Sequence, residues 1–400
     1  MAEDVASNKY VIFVHGWSDH DKSMLSFAKL IKKLFPNRAI RALMVDYVSL
    51  DDRVHFYDLV DAFENAWQAQ GLSDIGCKVD LVVHSTAALV VRAWLCRYFH
   101  IDNFPIKRIL MLAPANFGSH IAHLGQNFVG RLFKGHNPNH FFEVGERLLM
   151  GLELASPFSW DLAHKDLLLK ESPFRIGKIL CTVLIGADSY GGLSSVLDLP
   201  ASDGVILHAG SHLQATKISL NLMEASPSFQ IEKSRSYYAY RVLEGLNHSS
   251  ILEADKFKAA LVDIVYRAMT INDNAFKAWV DISRSSIPGG DDFQQCLVRV
   301  VDQYGDPVNG YRISLASSKN KEAFYARLEH NWLKYYHENL WDPSRCCLYL
   351  NKSVIAEYLL KSSRAIKFNL QVFPQYVNRK DVGYPAYDQA HHHAIVLPKD

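Results

Sequence analysis

In "LVVHSTAALVVRAW", residues 81–94, a serine stands between an apolar run that reads as a buried strand and a helical pattern from Thr86 to Phe99. A serine at such a bend can act as a nucleophile, and the usual elbow has glycine two residues to either side. Here Val83 and Ala87 hold those places. A Cβ at each site crowds the turn, so the local motif leaves Ser85 either a nucleophile or an ordinary turn serine. A serine hydroxyl reacts poorly at neutral pH unless it has a base, an acid that orients the base, and donors for an oxyanion.

The rest of the chain offers residues for each role. "VIFVHGW" ends a strand at His15-Gly16-Trp17, where glycine allows a tight turn that exposes the next amide. The N–H groups of Trp17 and Thr86 form the natural oxyanion pair, with Thr86 at a helix amino terminus. That leaves His15 as a brace for the loop. "YYAYRVLEGLNHSSILEADKF" places His248 in a loop between the last strand and the last helix, where a base belongs. His20, His84, His120, His208 and His212 rival it by residue type alone. His84 adjoins the serine and is expected to point away from Oγ. For the acid, Asp203 in "LPASDGVILHAGSHL" is favoured, with Asp188 in "IGADSYGG" a competitor and Asp198 a weaker one. An Asp-Gly pair is also simple turn chemistry.

These residues need a scaffold that brings distant loops to one edge. "YVIFVHG", "IRALMVDY", "KVDLVVH", "KRILMLAP", "KILCTVLIG" and "SYYAYRVL" read as strands. Helical patterns such as "KSMLSFAKLIKKLF", "FYDLVDAFENAWQAQG" and "DKFKAALVDIVYRAM" alternate with them. That alternation predicts an α/β domain whose parallel sheet is covered on both faces, with ligand crevices at the strands' carboxyl ends. Residues 119–176 break the alternation and predict a helical cap inserted above those ends. "SSIPGGDD" marks a linker, so the expected domains are 1–284 and 285–400. Short strands and turn signals such as "YGDPVNG" predict a mostly β, sandwich-like second domain, with a helix allowed within "NKEAFYARLEHNWLKYYHENL".

Composition narrows the partners. With 43 basic and 42 acidic residues, the formal charge of +1 argues against nucleic acid. No apolar run reaches the ~18–20 residues of a membrane span. "MAEDVASNKY" lacks the features of a secretory signal. Six cysteines without metal-type spacing suit a reducing compartment. The expected location is the cytoplasm, or a destination reached by export without a cleavable signal. His391 and His393 share a face if the segment is a strand, but no further ligands are evident, and a solvated edge is the favoured reading. "RLFKGH" beside apolar helix allows contact with a membrane surface.

With "HGW" at 15–17, "HSTAAL" at 84–89, "SDGV" at 202–205 and "NHSS" at 247–250, the chain resembles the α/β-hydrolase superfamily over residues 8–270. The likeness is to its bacterial lipase and esterase branch, and more distantly to SidB-type lipases injected as effectors. The resemblance implies a Ser85–His248–Asp203 triad, no cofactor, and a lipid or other ester as substrate. Calcium-binding relatives carry an acid two residues past the histidine; Ser250 stands there, so no metal is expected. The expected activity is serine ester hydrolysis, by a lipase or phospholipase acting on acyl chains. Acyl transfer through the same triad is an alternative. So is a binding module with a vestigial hydrolase domain, and the β domain could take an unknown protein or lipid.

Overall fold

A computed structural model describes residues 9–14, 21–43, 53–124, 145–190, 199–222, 228–284, 292–315, 331–362, 367–372 and 393–396. Six strands form one sheet: β1 (Tyr10–Val14), β2 (Ala39–Leu43), β3 (Val79–His84), β4 (Ile106–Leu112), β5 (Leu180–Gly186) and β8 (Ala239–Leu243). Their order is β2-β1-β3-β4-β5-β8, and every neighbouring pair runs parallel. From β1 the chain steps outward to β2 and then returns to the other side at β3. The crevice at that reversal lies beside the carboxyl end of β3, where Ser85 follows.

Burial of both faces explains why the central strands are mostly apolar. Ile12, Val14, Leu81, Val83, Ile109, Met111 and Val183 face one core, and Val11, Phe13, Val82, Leu110, Leu112 and Leu184 face the other. The first core is closed by α2 (Phe56–Ala69), α3 (Ala87–Tyr98) and residues of the α4 (Glu146–Leu152) and α5 (Pro157–Asp166) region. In α2, Phe56, Leu59, Val60, Phe63 and Trp67 fall on one helical stripe and are all buried. A capping box fixes its start, with Asp58 accepting the His55 N–H at 2.7 Å. The second core is closed by α1 (Asp21–Leu34) through Met24, Phe27 and Ile31, and by α7 (Ala259–Thr270) through Val265, Ala268 and Met269. At the sheet's amino end, Asp80 is fully buried between Arg38 at 3.0 Å and Arg108 at 3.2 Å. Both guanidiniums also donate to the last carbonyls of α7, from Met269 and Thr270.

Four further elements are not evident from the sequence. α8 (Asp273–Arg284) follows α7 after a short break and packs Phe276, Trp279 and Val280 on Leu180 and Ala239. Ser283 accepts the Tyr240 N–H at 3.2 Å, which occupies a ladder donor on the edge strand β8. β6 (Thr216–Asn221) and β7 (Ser228–Lys233) form a separate two-stranded sheet. A four-residue helix, α6 (His208–Ser211), precedes them. Of the expected cap, α4, α5 and residues 119–124 are described, while 125–144 fall outside the described residues.

The chain divides into two compact units, Met1–Thr216 with Glu232–Gly290, and Lys217–Ile231 with Asp291–Asp400. A linear cut at 284/285 leaves 217–231 in the first unit; the packing assigns it to the second. That second unit carries two antiparallel sheets, each with three strands. One contains β9 (Phe293–Arg299), β11 (Leu333–Glu338) and β12 (Arg345–Asn351); the other contains β10 (Tyr311–Leu315), β13 (Lys367–Val372) and β14 (His393–Val396). Tyr311 and Ile313 of β10 share an apolar cluster with Cys346, Leu348 and Leu350 of β12. The run "RCCLYLNKSVIAEYLL" divides into β12 and α9 (Lys352–Ser362), which begins directly after it. Asn351 accepts the Val354 N–H at 3.2 Å, and that cap turns an apolar stretch of ambiguous period into a helix.

Candidate active site

β3 ends at His84, and the chain then turns through Ser85 with φ of +54°. A non-glycine residue in the left-handed region costs on the order of 1–3 kcal/mol and persists only when its surroundings hold it. Ser85 is so held: its N–H donates to Leu112 O at 3.0 Å, while its carbonyl accepts from Ala88 and Ala115 at 3.2 and 3.3 Å. The positions usually given to glycine carry Val83, buried in the sheet, and Ala87, the first residue of α3. Thr86 is the N-cap residue of α3, so its N–H belongs to the amide cluster at that helix start. Trp17, together with His15, Gly16 and His20, lies outside the described residues.

His248 is fully buried, and its Nε2 lies 3.0 Å from Ser85 Oγ. Its Nδ1 lies 2.8 Å from Asp203 Oδ2. An ionised carboxylate only accepts, so Nδ1 carries the proton and Nε2 presents its lone pair to the hydroxyl. The other oxygen of Asp203 accepts from the Val205 and Ile206 N–H groups at 3.0 and 2.7 Å. The "SDGV" turn therefore aims the acid, and Asp203 also accepts the His248 backbone N–H on its carbonyl at 3.0 Å. Gly204 is required at φ +92°, and a Cβ there would meet the Tyr190 ring at 2.7 Å.

The rival residues do other work. Asp188 Oδ1 accepts the Gly245 N–H at 3.3 Å, and its own N–H donates to Leu246 O at 2.9 Å. It braces the turn that leads into His248. Asp198 is outside the described residues. His84 lies behind the serine, its Nε2 3.0 Å from the His248 carbonyl. His208 Nε2 donates to Gly186 O at 2.8 Å, and burial holds this imidazole below its ordinary pKa. His212 Nδ1 meets the Tyr238 hydroxyl at 2.7 Å and its ring stacks on Tyr240. His120 is buried at the start of the cap region.

Ser250 has a local task. Its Oγ accepts the Asn247 N–H at 2.8 Å, while Asn247 Oδ1 accepts the N–H groups of Ser249 and Ser250 at 3.2 and 2.9 Å. These bonds close the loop around His248. Among the described residues no group of three or more His, Cys, Asp or Glu side chains could hold a metal ion. No described helix is long and apolar enough to cross a membrane. His391 lies outside the described residues.

One supporting network was not legible as a site. Arg92 on α3 is fully buried and forms a two-pronged pair with Asp166 at 2.7 and 3.0 Å. It also donates to the carbonyl of Asn116 at 2.8 Å, and Asn116 Nδ2 donates to Ser211 O at 2.7 Å. α3 is thereby tied to α5, to the loop after β4 and to the end of α6. Burial pushes the Asp166 carboxyl up, and Arg92 opposes that shift. Cys96, on the same helix, has its thiol pushed up to about 12 by burial, as fits a small apolar residue.

No family model matches the chain, and no curated protein matches it. Solved structures do. Phospholipase PlaB from Legionella pneumophila is 22% identical over 92% of this chain and 86% of its own, with a TM-score of 0.78. The same phospholipase in complex with thio-NAD is 21% identical over 97% of this chain and 89% of its own, at TM-score 0.77. The chain has the α/β-hydrolase fold. Ser85 follows β3, Asp203 follows β5, and His248 follows the last strand of the sheet. The chain order of the three is Ser, Asp, His, as is usual for this fold.

Proposed function

We propose that this α/β-hydrolase is a serine hydrolase that cleaves carboxylic esters through Ser85, His248 and Asp203. The observation that carries the reading is the pair of contacts at His248, 3.0 Å to Ser85 Oγ and 2.8 Å to Asp203. Ser85 Oγ attacks the ester carbonyl while its proton passes to His248 Nε2. Asp203 keeps the proton on Nδ1 and stabilises the imidazolium that forms. The tetrahedral oxyanion is held by the amides of Thr86 and Trp17, each such donor typically contributing ~3 kcal/mol. Collapse breaks the bond to the alcohol, which takes the proton from Nε2. Water then repeats the cycle on the acyl-enzyme and releases the acid.

Acyl-chain lipids are the favoured substrates. The apolar composition of the inserted helices supports this, as does the likeness to a solved phospholipase. Phospholipid or acylglycerol hydrolysis would bring the protein to a membrane surface, and the second unit is a candidate for lipid or protein recognition. No cofactor enters the chemistry. Ser85→Ala should abolish p-nitrophenyl ester turnover with the thermal midpoint nearly unchanged. Turnover that survives the substitution would remove Ser85 from the mechanism.

A further inference from the structure

We propose that His84 is a positioning residue for the base, holding the His248 backbone from the side of the elbow opposite Oγ. The proposal rests on the triad reading above and concerns what keeps that triad assembled. His84 is 4% exposed, and its Nε2 lies 3.0 Å from the His248 carbonyl oxygen. A carbonyl only accepts, so Nε2 of His84 carries a proton and donates it. The two imidazoles lie with centroids 4.9 Å apart.

The geometry gives this bond a particular consequence. His248 is held at four points by two short segments. Asp203 takes its backbone N–H at 3.0 Å and its Nδ1–H at 2.8 Å. The consecutive pair His84 and Ser85 takes its carbonyl at 3.0 Å and faces its Nε2 at 3.0 Å. Adjacent residues at a sharp turn point apart, so one can grip the backbone of a loop while the other meets its side chain. A shift of the His248 backbone relative to Ser85 must stretch the His84 bond, because His84 and Ser85 are joined by one peptide. His248 belongs to no strand or helix, and its loop depends on such outside contacts for its place. A buried histidine that merely fills its own hydrogen bond would have no reason to report on Ser85–His248 geometry.

The test uses the full chain with His84→Met, which keeps bulk and loses the donor, and His84→Gln, whose amide nitrogen reaches about as far as Nε2. His84→Asn, with a shorter amide, replaces the methionine variant should that one fail to fold. The readouts are kcat and KM on a soluble short-chain ester, and the downfield proton resonance of His248 Nδ1–H, assigned by its loss in His248→Asn. His84→Met should lower kcat about 10- to 100-fold with KM little changed, as a misplacement approaching 1 Å does. It should also broaden away the resonance, and His84→Gln should recover most of both. The proposal is overturned if His84→Met keeps both the resonance and kcat. It is also overturned if His84→Gln recovers neither while melting like the wild type. Absence of ester turnover in the wild type would instead defeat the hydrolase reading, and the resonance comparison would still decide the role of His84.

Discussion

Gly186 closes β5 where the loop carrying His248 passes over it. A Cβ built there would lie 2.3 Å from Leu246 O and 2.9 Å from Asn247 Cα, both backbone atoms. Ordinary contact begins near 3.4 Å, so the Leu246 carbonyl would have to retreat by about 1 Å. It cannot do so alone, because Asp188 N–H holds that oxygen at 2.9 Å and His248 follows two residues later. Gly186→Ala should therefore displace the base from Ser85. Overpacking of this kind costs roughly 1–3 kcal/mol of stability, while a displacement near 1 Å can lower turnover about 100-fold. The assay is p-nitrophenyl butyrate kinetics beside a calorimetric scan of the same preparation. The expected result is a kcat near one-hundredth of wild type, KM within about threefold, and a protein that still melts cooperatively. An alanine variant with wild-type kcat would refute the argument that β5 sets the position of His248.

Asp203→Asn should keep its side-chain oxygen on the Val205 and Ile206 amides and turn its NH2 toward His248. That forces the proton onto Nε2, which can no longer accept from Ser85, and kcat should fall ~10⁴-fold; a loss under tenfold would contradict the assigned tautomer. Asp166→Ala leaves Arg92 buried without its carboxylate and should cost ~3–5 kcal/mol, read as a lower urea midpoint. Asp80→Ala should cost as much by stranding Arg38 and Arg108, yet leave kcat per folded molecule intact, since the cluster lies at the opposite end of the sheet. Burial lowers the His208 pKa on folding, so the unfolded chain binds a proton there first as pH falls. Its contribution is present above the unfolded value near 6.5 and lost on acidification below it, so His208→Gln should flatten the decline of melting temperature between about pH 7 and 5.

The parallel sheet was legible because strands buried on both faces are mostly apolar, and the central runs of β1, β3, β4 and β5 are, with Asp80 and Arg108 the charged exceptions at the amino end. The resemblance to lipases with an Asp-Gly acid favours Asp203 over Asp188, and in the fold the amides of Val205 and Ile206 hold the Asp203 carboxylate. Other features are invisible in one dimension. Arg92 reads as a surface residue on an amphipathic helix until Asp166, 74 positions away, is folded against it. The apolar residues of α9 have no clear period, and the deciding Asn351 cap is a three-residue effect. The β6–β7 pair and α8 were missed for a related reason. Strand β7 is exposed along its whole length, so no buried face imprints a pattern on it. α8 follows a helix already counted after only a two-residue break. The grip of His84 on the carbonyl of His248 is invisible in the sequence, since a bond to a backbone carbonyl leaves no signature in the residue that accepts it.

The claim on which the account turns is that the hydroxyl of Ser85 is made reactive by His248. The most direct measurement is incubation of the full chain with a fluorophosphonate, followed by peptide mass spectrometry to find the modified residue. The account predicts a single stoichiometric adduct on the peptide containing Ser85, lost in Ser85→Ala and strongly slowed in His248→Asn. A chain that remains unlabelled, or that is labelled at another serine with undiminished rate in His248→Asn, would contradict it.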